Sequence, residues 1–300
     1  MRRFIPILLL LALAAPPAHA DATEPASAPA DTGPTVSPDF DHAVIIVMEN
    51  KEYSQIIGSR EAPYLNRLAK REGLATHFYA IRHPSLPNYL ALLGGSTFGI
   101  DTNCTNCKVR RTTLVDQLEG AGISWKGYMG AMPHACFEGA SAGRYAKRHN
   151  PFMYFTTITE DPDRCGRVQP MKRLLSDLRN DRLPRYSFIV PDLCKDMHDC
   201  SIRTGDRYLS NLVPKILPAL GDDGVLFVTF DEGASRLGCC TNARGGRIAT
   251  IVAGPAVDGP VRRATPFTLY SILRTIEEAW GLPPLRKAAC DCTEPMSSFF

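Results

Sequence analysis

Two segments far apart in the chain each end an apolar run on acidic or amide side chains. Residues 43–48 run into Glu49-Asn50, and residues 224–230 run into Asp231-Glu232. Between them, His83-Pro84-Ser85-Leu86-Pro87-Asn88 presents a hydroxyl where a helix should start. Ligands of open α/β sheets bind at the carboxyl ends of strands. Three carboxylates with an amide are a fitting ligand set for a hard divalent cation, and a serine beside such a cation can act as a nucleophile. Phosphoryl transfer needs charge neutralised on the equatorial oxygens as well as an activated nucleophile. The residue types therefore predict an enzyme acting on phosphate esters.

Local chemistry refines these roles. Pro84 restricts the residue before it and Pro87 suits a first helical turn, so a short helix is predicted over 86–93. Ser85 then lies near the N-cap, where free N–H groups and the helix dipole attract phosphate. Asn88, about one turn on, is placed to hydrogen-bond a phosphoryl oxygen. Taken singly, Ser85 is an ordinary helix cap and the two acidic pairs are solvated turns; taken as a set they are harder to dismiss. A third cluster, Asp192-Leu193-Cys194-Lys195-Asp196-Met197-His198-Asp199-Cys200, follows an apolar run. There Asp196 and His198 are candidates for a metal ligand or a leaving-group acid. The same stretch also reads as a loop pinned by a Cys194–Cys200 bridge. His149, next to Lys147 and Arg148, makes a cationic cluster suited to phosphate, or else an exposed basic turn.

The elements that must position these groups are legible as continuous apolar runs at 43–48, 186–190, 224–230 and 248–253, as in buried parallel strands. Helical periodicity marks 62–72, 112–121, 170–180, 206–220 and 267–280. The alternation predicts an α/β fold with helices on both faces of a sheet. Residues 123–168 are less periodic and read as an active-site insertion or cap. At the N-terminus, Arg2-Arg3, an apolar stretch and Ala18-His19-Ala20 match a secretory signal at 1–20. An Ala/Pro/Thr/Ser-rich linker follows at 21–38. The catalytic domain is then expected at 39–286, with a Cys-containing tail at 287–300. Ten cysteines fit a periplasmic or secreted protein with disulfides. Cys104-Thr-Asn-Cys107 also has zinc-like spacing, and at least one of the adjacent Cys239 and Cys240 is expected to pair elsewhere. The formal charge of +3 becomes +1 without Arg2 and Arg3, 32 bases against 31 acids. That balance gives no electrostatic case for nucleic acid or an anionic membrane, and no second run is long enough for a membrane anchor.

In order along the chain, Met48-Glu49-Asn50, His83 to Tyr89, Tyr145 to Phe152, Asp196 to Asp199, Phe230 to Gly233 and Leu273 to Glu277 with Gly281-Leu282 resemble the bacterial phosphoesterase family. That family holds secreted acid phosphatases and phospholipases C and belongs to the alkaline-phosphatase-like superfamily. The resemblance implies a three-layer αβα sandwich with a central, mostly parallel sheet. It implies a divalent metal ion, of open identity and number, held by Glu49, Asn50, Asp231 and Glu232. Ser85 would contact that ion and form a phosphoserine, and Asn88, His149, Asp196 and His198 would line the phosphate site. Ser85-Leu-Pro-Asn in a 300-residue chain looks like the compact phosphatase branch. Three positions depart from the family pattern: Leu269 stands where His is frequent, Gly130 where an acidic residue is frequent, and Asp192 where Asn is usual. The competing readings are a phospholipase C-type phosphodiesterase and a catalytically dead secreted binding protein. A serine hydrolase is disfavoured because no Gly-x-Ser-x-Gly surrounds Ser85.

Overall fold

The computed structural model describes Met1 and residues 38–300, so the expected signal at 1–20 and nearly all of the expected linker lie outside the described residues. In chain order the first elements are β1 (Ala43–Met48), α1 (Tyr53–Ile56), α2 (Pro63–Arg71), β2 (Gly73–Tyr79), α3 (Ser85–Gly94), α4 (Leu114–Gly120) and β3 (Trp125–Met129). A small hairpin follows, β4 (Ser141–Ala142) and β5 (Tyr145–Ala146), then α5 (Thr156–Thr159), α6 (Pro162–Cys165), β6 (Val168–Pro170) and α7 (Met171–Arg179). The last part holds β7 (Tyr186–Val190), α8 (Ile202–Ile216), β8 (Val225–Phe230), β9 (Arg247–Ala253), β10 (Val261–Arg263), β11 (Phe267–Thr268) and α9 (Leu269–Ala279).

Nine strands form one sheet in the order β10-β2-β9-β8-β1-β7-β3-β6, with β11 also paired to β2. All its pairings are parallel except those of β9, which runs antiparallel to both β2 and β8. Every residue of β1, β7 and β8 is buried. Since side chains alternate between faces, both faces of the central strands must be covered. α2 packs on α8, and α3 on α9. α2 turns Tyr64, Leu65, Leu68 and Ala69 inward, and α8 turns Leu209, Leu212, Val213 and Ile216 inward. The expected αβα arrangement is the observed one.

Parallel register makes the site. Met48 pairs with Phe230, so Glu49 and Asp231 emerge side by side. Ile46 pairs with Ile189, which places the loop after β7 at the same sheet edge.

Five strands of the sheet, β2, β3, β6, β10 and β11, were not legible; the last three are only two or three residues long, and the two longer ones have specific causes. β2 carries Thr76-His77 at a register shift between Ala75 and Phe78, and this irregularity breaks its alternation. β3 contains Lys126, whose Nζ lies 2.6 Å from buried Asp177, and Tyr128 donates to the same carboxylate at 2.8 Å. The part of the expected insertion at 123–168 that includes β3 therefore belongs to the main sheet. α8 starts earlier than its periodicity indicates, because the Ser201 side chain accepts the Thr204 N–H and caps it.

The cysteines pair locally: Cys104–Cys107, Cys136–Cys165, Cys194–Cys200, Cys239–Cys240 and Cys290–Cys292. Cys104 and Cys107 are joined to each other, as the disulfide reading expects and the zinc alternative does not. One expectation is corrected: Cys239 bonds its own neighbour rather than pairing elsewhere. The tight turn there takes Cys240 and Thr241 into left-handed backbone, at φ 58° and 62°, and Cys239 and Ala243 exchange backbone hydrogen bonds across it. Residues 287–300 pack inward, with Ala288, Met296 and Phe299 fully buried. No described helix is long and apolar enough to cross a membrane.

Candidate active site

Ser85 is the first residue of α3, after Pro84 in extended backbone. It is buried, and its Oγ lies 3.4 Å from Glu49 Oε2 and 3.3 Å from Glu232 Oε1. The hydroxyl thus sits between the ends of β1 and β8. Asn50 ties those ends together: its backbone N–H donates to Asp231 Oδ1 at 3.0 Å and its side-chain nitrogen to Glu49 Oε2 at 3.2 Å. Its φ of 54° is left-handed, a conformation that Asn tolerates better than most residues. The Glu49 backbone N–H donates to the Asp196 carbonyl, which couples the loop after β7 to β1. That loop is closed by Cys194–Cys200, and Asp196 Oδ1 accepts the His198 N–H at 2.7 Å. His149 Nε2 lies 3.3 Å from Glu49 Oε2, and its Nδ1 lies 3.7 Å from Asp196 Oδ2.

The five acidic and amide positions read at strand ends and in the loop after β7, together with Ser85, His149 and His198, therefore converge. Asn88 does not join them. Its Oδ1 accepts from the Ile81 and Arg82 N–H groups, and its Nδ2 donates to the Arg82 and Pro84 carbonyls. A side-chain amide has little capacity beyond that, so the expected phosphoryl contact gives way to fixing the 81–84 loop that presents Ser85. The N-terminal N–H of Leu86 is likewise taken, by Asn103 Oδ1 at 3.0 Å. The basic cluster also divides. Arg148 Nη2 approaches His198 Nε2 at 3.2 Å, while Lys147 lies over the Tyr154 ring.

Two contributors escaped the sequence reading. Tyr89 donates to Glu49 Oε1 and stacks on His149; its spacing of four residues from Ser85 puts both on one helix face, which was the available signal. His83 Nδ1 lies 2.6 Å from Glu232 Oε2 and its Nε2 lies 2.8 Å from the Ser235 carbonyl oxygen. Only the structure shows that pairing.

The departures have local causes. A Cβ at Gly130 would come within 2.1 Å of the Asp192 backbone nitrogen and 2.4 Å of Pro191 C, so no acidic side chain fits there. Asp192 turns back into its own loop, accepting from the Cys194 N–H and pairing with Lys195. Leu269 is fully buried at the start of α9 and contributes packing alone.

Crowded acids shape the electrostatics. Burial, then the charges of Asp231 and Asp196, push the Glu49 carboxyl well above its usual range. Burial raises Asp231 as well and carries Asp196 to about 8. Glu232 is lifted to about 7 by burial and by Asp231, against the opposing His83. His149 is held well below its usual value by burial, with Arg148 and His198 adding to the effect. Asp231 Oδ2, Asp196 Oδ2 and His149 Nε2 are buried with no hydrogen-bond partner among the described residues. Buried polar atoms are nearly always satisfied, and a cation is a partner that would satisfy these. Ligand atoms of Glu49, His149 and His198 also lie within 4.8 Å of one another. The residues present thus fit a divalent metal ion with mixed oxygen and imidazole ligands.

A sheet of this topology with its site at the strand ends defines an alkaline-phosphatase-like fold, and solved structures agree. A protein of the alkaline phosphatase superfamily from Vibrio parahaemolyticus superimposes with a TM-score of 0.59 at 15% identity, over 85% of this chain and 71% of that one. The model of the phosphoesterase family matches residues 59–283, and the chain belongs to that family. It is 31% identical over 264 residues to a phosphate-repressible acid phosphatase of Penicillium chrysogenum, covering 84% of this chain and 61% of that protein. A phosphatidylinositol-3-phosphatase of Mycobacterium tuberculosis is 33% identical over 252 residues, covering 82% of this chain and 79% of that protein. The chain spans less than two thirds of the length of the fungal relatives it matches.

Proposed function

We propose that the chain is a secreted, metal-dependent phosphomonoesterase that works through a phosphoserine at Ser85. One observation carries this reading: the Ser85 hydroxyl stands between two carboxylates, at a site with three buried polar atoms that lack a hydrogen-bond partner among the described residues. Glu49, Asn50, Asp231 and Glu232 would hold the metal, with Asp196, His149 and His198 close enough to share it. When bound, a divalent cation supplies charge neutralisation for the phosphoryl oxygens and lowers the pKa of the serine hydroxyl. Glu232 Oε1 and Glu49 Oε2 are the acceptors nearest the Ser85 proton. The Ser85 Oγ–phosphorus bond forms as the ester bond breaks, and the departing oxygen takes a proton. His198, its Nδ1 held by Asp199 at 2.6 Å, would give it from Nε2, which must then carry a proton and turn from both the metal and the Arg148 Nη2 donor 3.2 Å away. Water then cleaves the phosphoserine and releases inorganic phosphate. The acid-phosphatase and phosphoinositide-phosphatase relatives support monoester substrates.

The test compares hydrolysis of p-nitrophenyl phosphate with that of a choline phosphodiester analogue, with divalent metals and after chelation. Monoester turnover that disappears on chelation and returns with metal supports the reading. Turnover mainly of the diester would replace it with a phospholipase C-type activity, and no turnover by folded protein would favour a binding protein.

A further inference from the structure

A cavity of about 610 Å³ is lined in part by Arg82, His83, Arg236, Arg244, Tyr270 and Lys287. Its link to the site is direct. His83 lines it and reaches Glu232, and Glu232 in turn meets Ser85 Oγ. Four cationic side chains border this one space, in a chain whose charges nearly balance. Among the described residues, the one acid ion-paired with any of the four is Asp101, 4.0 Å from Arg82 with both side chains well exposed; a pair of that kind is weak. Arg236, Arg244 and Lys287 have no ion-pair partner among the described residues, and all three are exposed. The wall that carries the first two is fixed. The Arg244 N–H donates to the Ile81 carbonyl, Cys239 and Ala243 bond across the turn, and Cys239–Cys240 closes it. The backbone there is fixed, while the exposed side chains keep their charge for a ligand and are ordered when it binds.

A phosphoryl group on Ser85 fills the carboxylate-lined site, and the rest of the substrate must extend out of it. The cationic cavity is the space that His83 joins to that site. We infer that this cavity is the leaving-group subsite and that it selects phosphate monoesters whose alcohol carries a second phosphate. The inference rests on the phosphatase reading above. The second phosphate would be bound by Arg244, Arg236 and Lys287, with Arg offering paired donors to its oxygens.

The experiment has an activity arm and a binding arm. In the first, wild type and an Arg244→Ala/Lys287→Ala variant are assayed on p-nitrophenyl phosphate, fructose 6-phosphate and fructose 1,6-bisphosphate. A short-chain phosphatidylinositol 3-phosphate serves as a lipid-borne counterpart. The expected result is a rise of about tenfold in KM for the doubly phosphorylated substrates, with a clearly smaller change for p-nitrophenyl phosphate and fructose 6-phosphate. Which of the two loses more tells a soluble from a lipid source. Equal changes on all substrates, or none, would overturn the subsite. In the binding arm, Ser85→Ala protein, with and without the two cavity substitutions, is titrated calorimetrically with the bisphosphate and the monophosphate. Tighter binding of the bisphosphate that the substitutions abolish supports the subsite; equal binding of both ligands overturns it. Should wild type hydrolyse no monoester at all, the phosphatase reading fails, and the binding arm still decides the cavity.

Discussion

Ser85 is held in place by neighbours that would never need to touch a substrate. Asn88 is the clearest case, because its fully buried amide makes four hydrogen bonds to the backbone of the 81–84 loop. Of those contacts only the one to the Ile81 N–H is fully buried, and a buried group left unsatisfied costs about 1–3 kcal/mol. We therefore expect Asn88→Ala to lose at least about that much stability by denaturant unfolding, together with a fall in kcat as Ser85 loses its fixed position. Unchanged kcat in a destabilised protein would mean that the loop keeps its shape without Asn88. The side chain at Gly130 is absent for a steric reason, not a chemical one: the backbone of Pro191 and Asp192 occupies the place where it would stand.

At the scale of elements, the strand ends bring distant residues into contact, and α9 carries a liability of its own. Glu277 is fully buried in α9; one oxygen accepts the Leu285 N–H at 3.0 Å, and the other has no hydrogen-bond partner among the described residues. Burial lifts its pKa from the usual 4.5 to about 8. Between those values the folded chain holds a proton that the unfolded chain has released. Stability from this group is therefore full below about pH 4.5 and is lost as pH rises through 8. Glu277→Gln should flatten that decline in unfolding measurements across the window; an unchanged slope would show that Glu277 is ionised in the fold. The strands β1, β7, β8 and β9 were legible because continuous apolar runs marked them, and the helix of Ser85 because Pro84 and Pro87 marked its start. β2 and β3 were not, since a register shift in one and a lysine neutralised by a buried aspartate in the other both erase the pattern. The convergence of Glu49, Asn50, Ser85, Asp196, His198, Asp231 and Glu232 on one candidate site was legible, because polar groups at strand ends and in the following loop are a one-dimensional signal. The pairing of His83 with Glu232 joins residues 149 positions apart, and no local pattern carries it.

Across the whole molecule, the last residues belong to the core that supports the sheet. Phe299 is fully buried, packs on Phe267 and lies against Gly73 at the start of β2. The Met296 N–H donates to Thr275 Oγ1 in α9 at 2.8 Å. Emptying a buried aromatic site costs about 3–5 kcal/mol, so Phe299→Ala should lower the unfolding midpoint clearly while leaving KM for a small monoester unchanged. A midpoint equal to wild type would show that residues 287–300 are dispensable to the fold. The central claim joins this architecture to one atom, the Ser85 hydroxyl at the meeting point of β1, β8 and α3. Its most direct test is p-nitrophenyl phosphate turnover by wild type, Ser85→Ala and Asp231→Ala proteins, each shown to be folded. The account predicts turnover in wild type and a fall of about a thousandfold or more in both variants. Turnover retained by Ser85→Ala at the wild-type rate would contradict it.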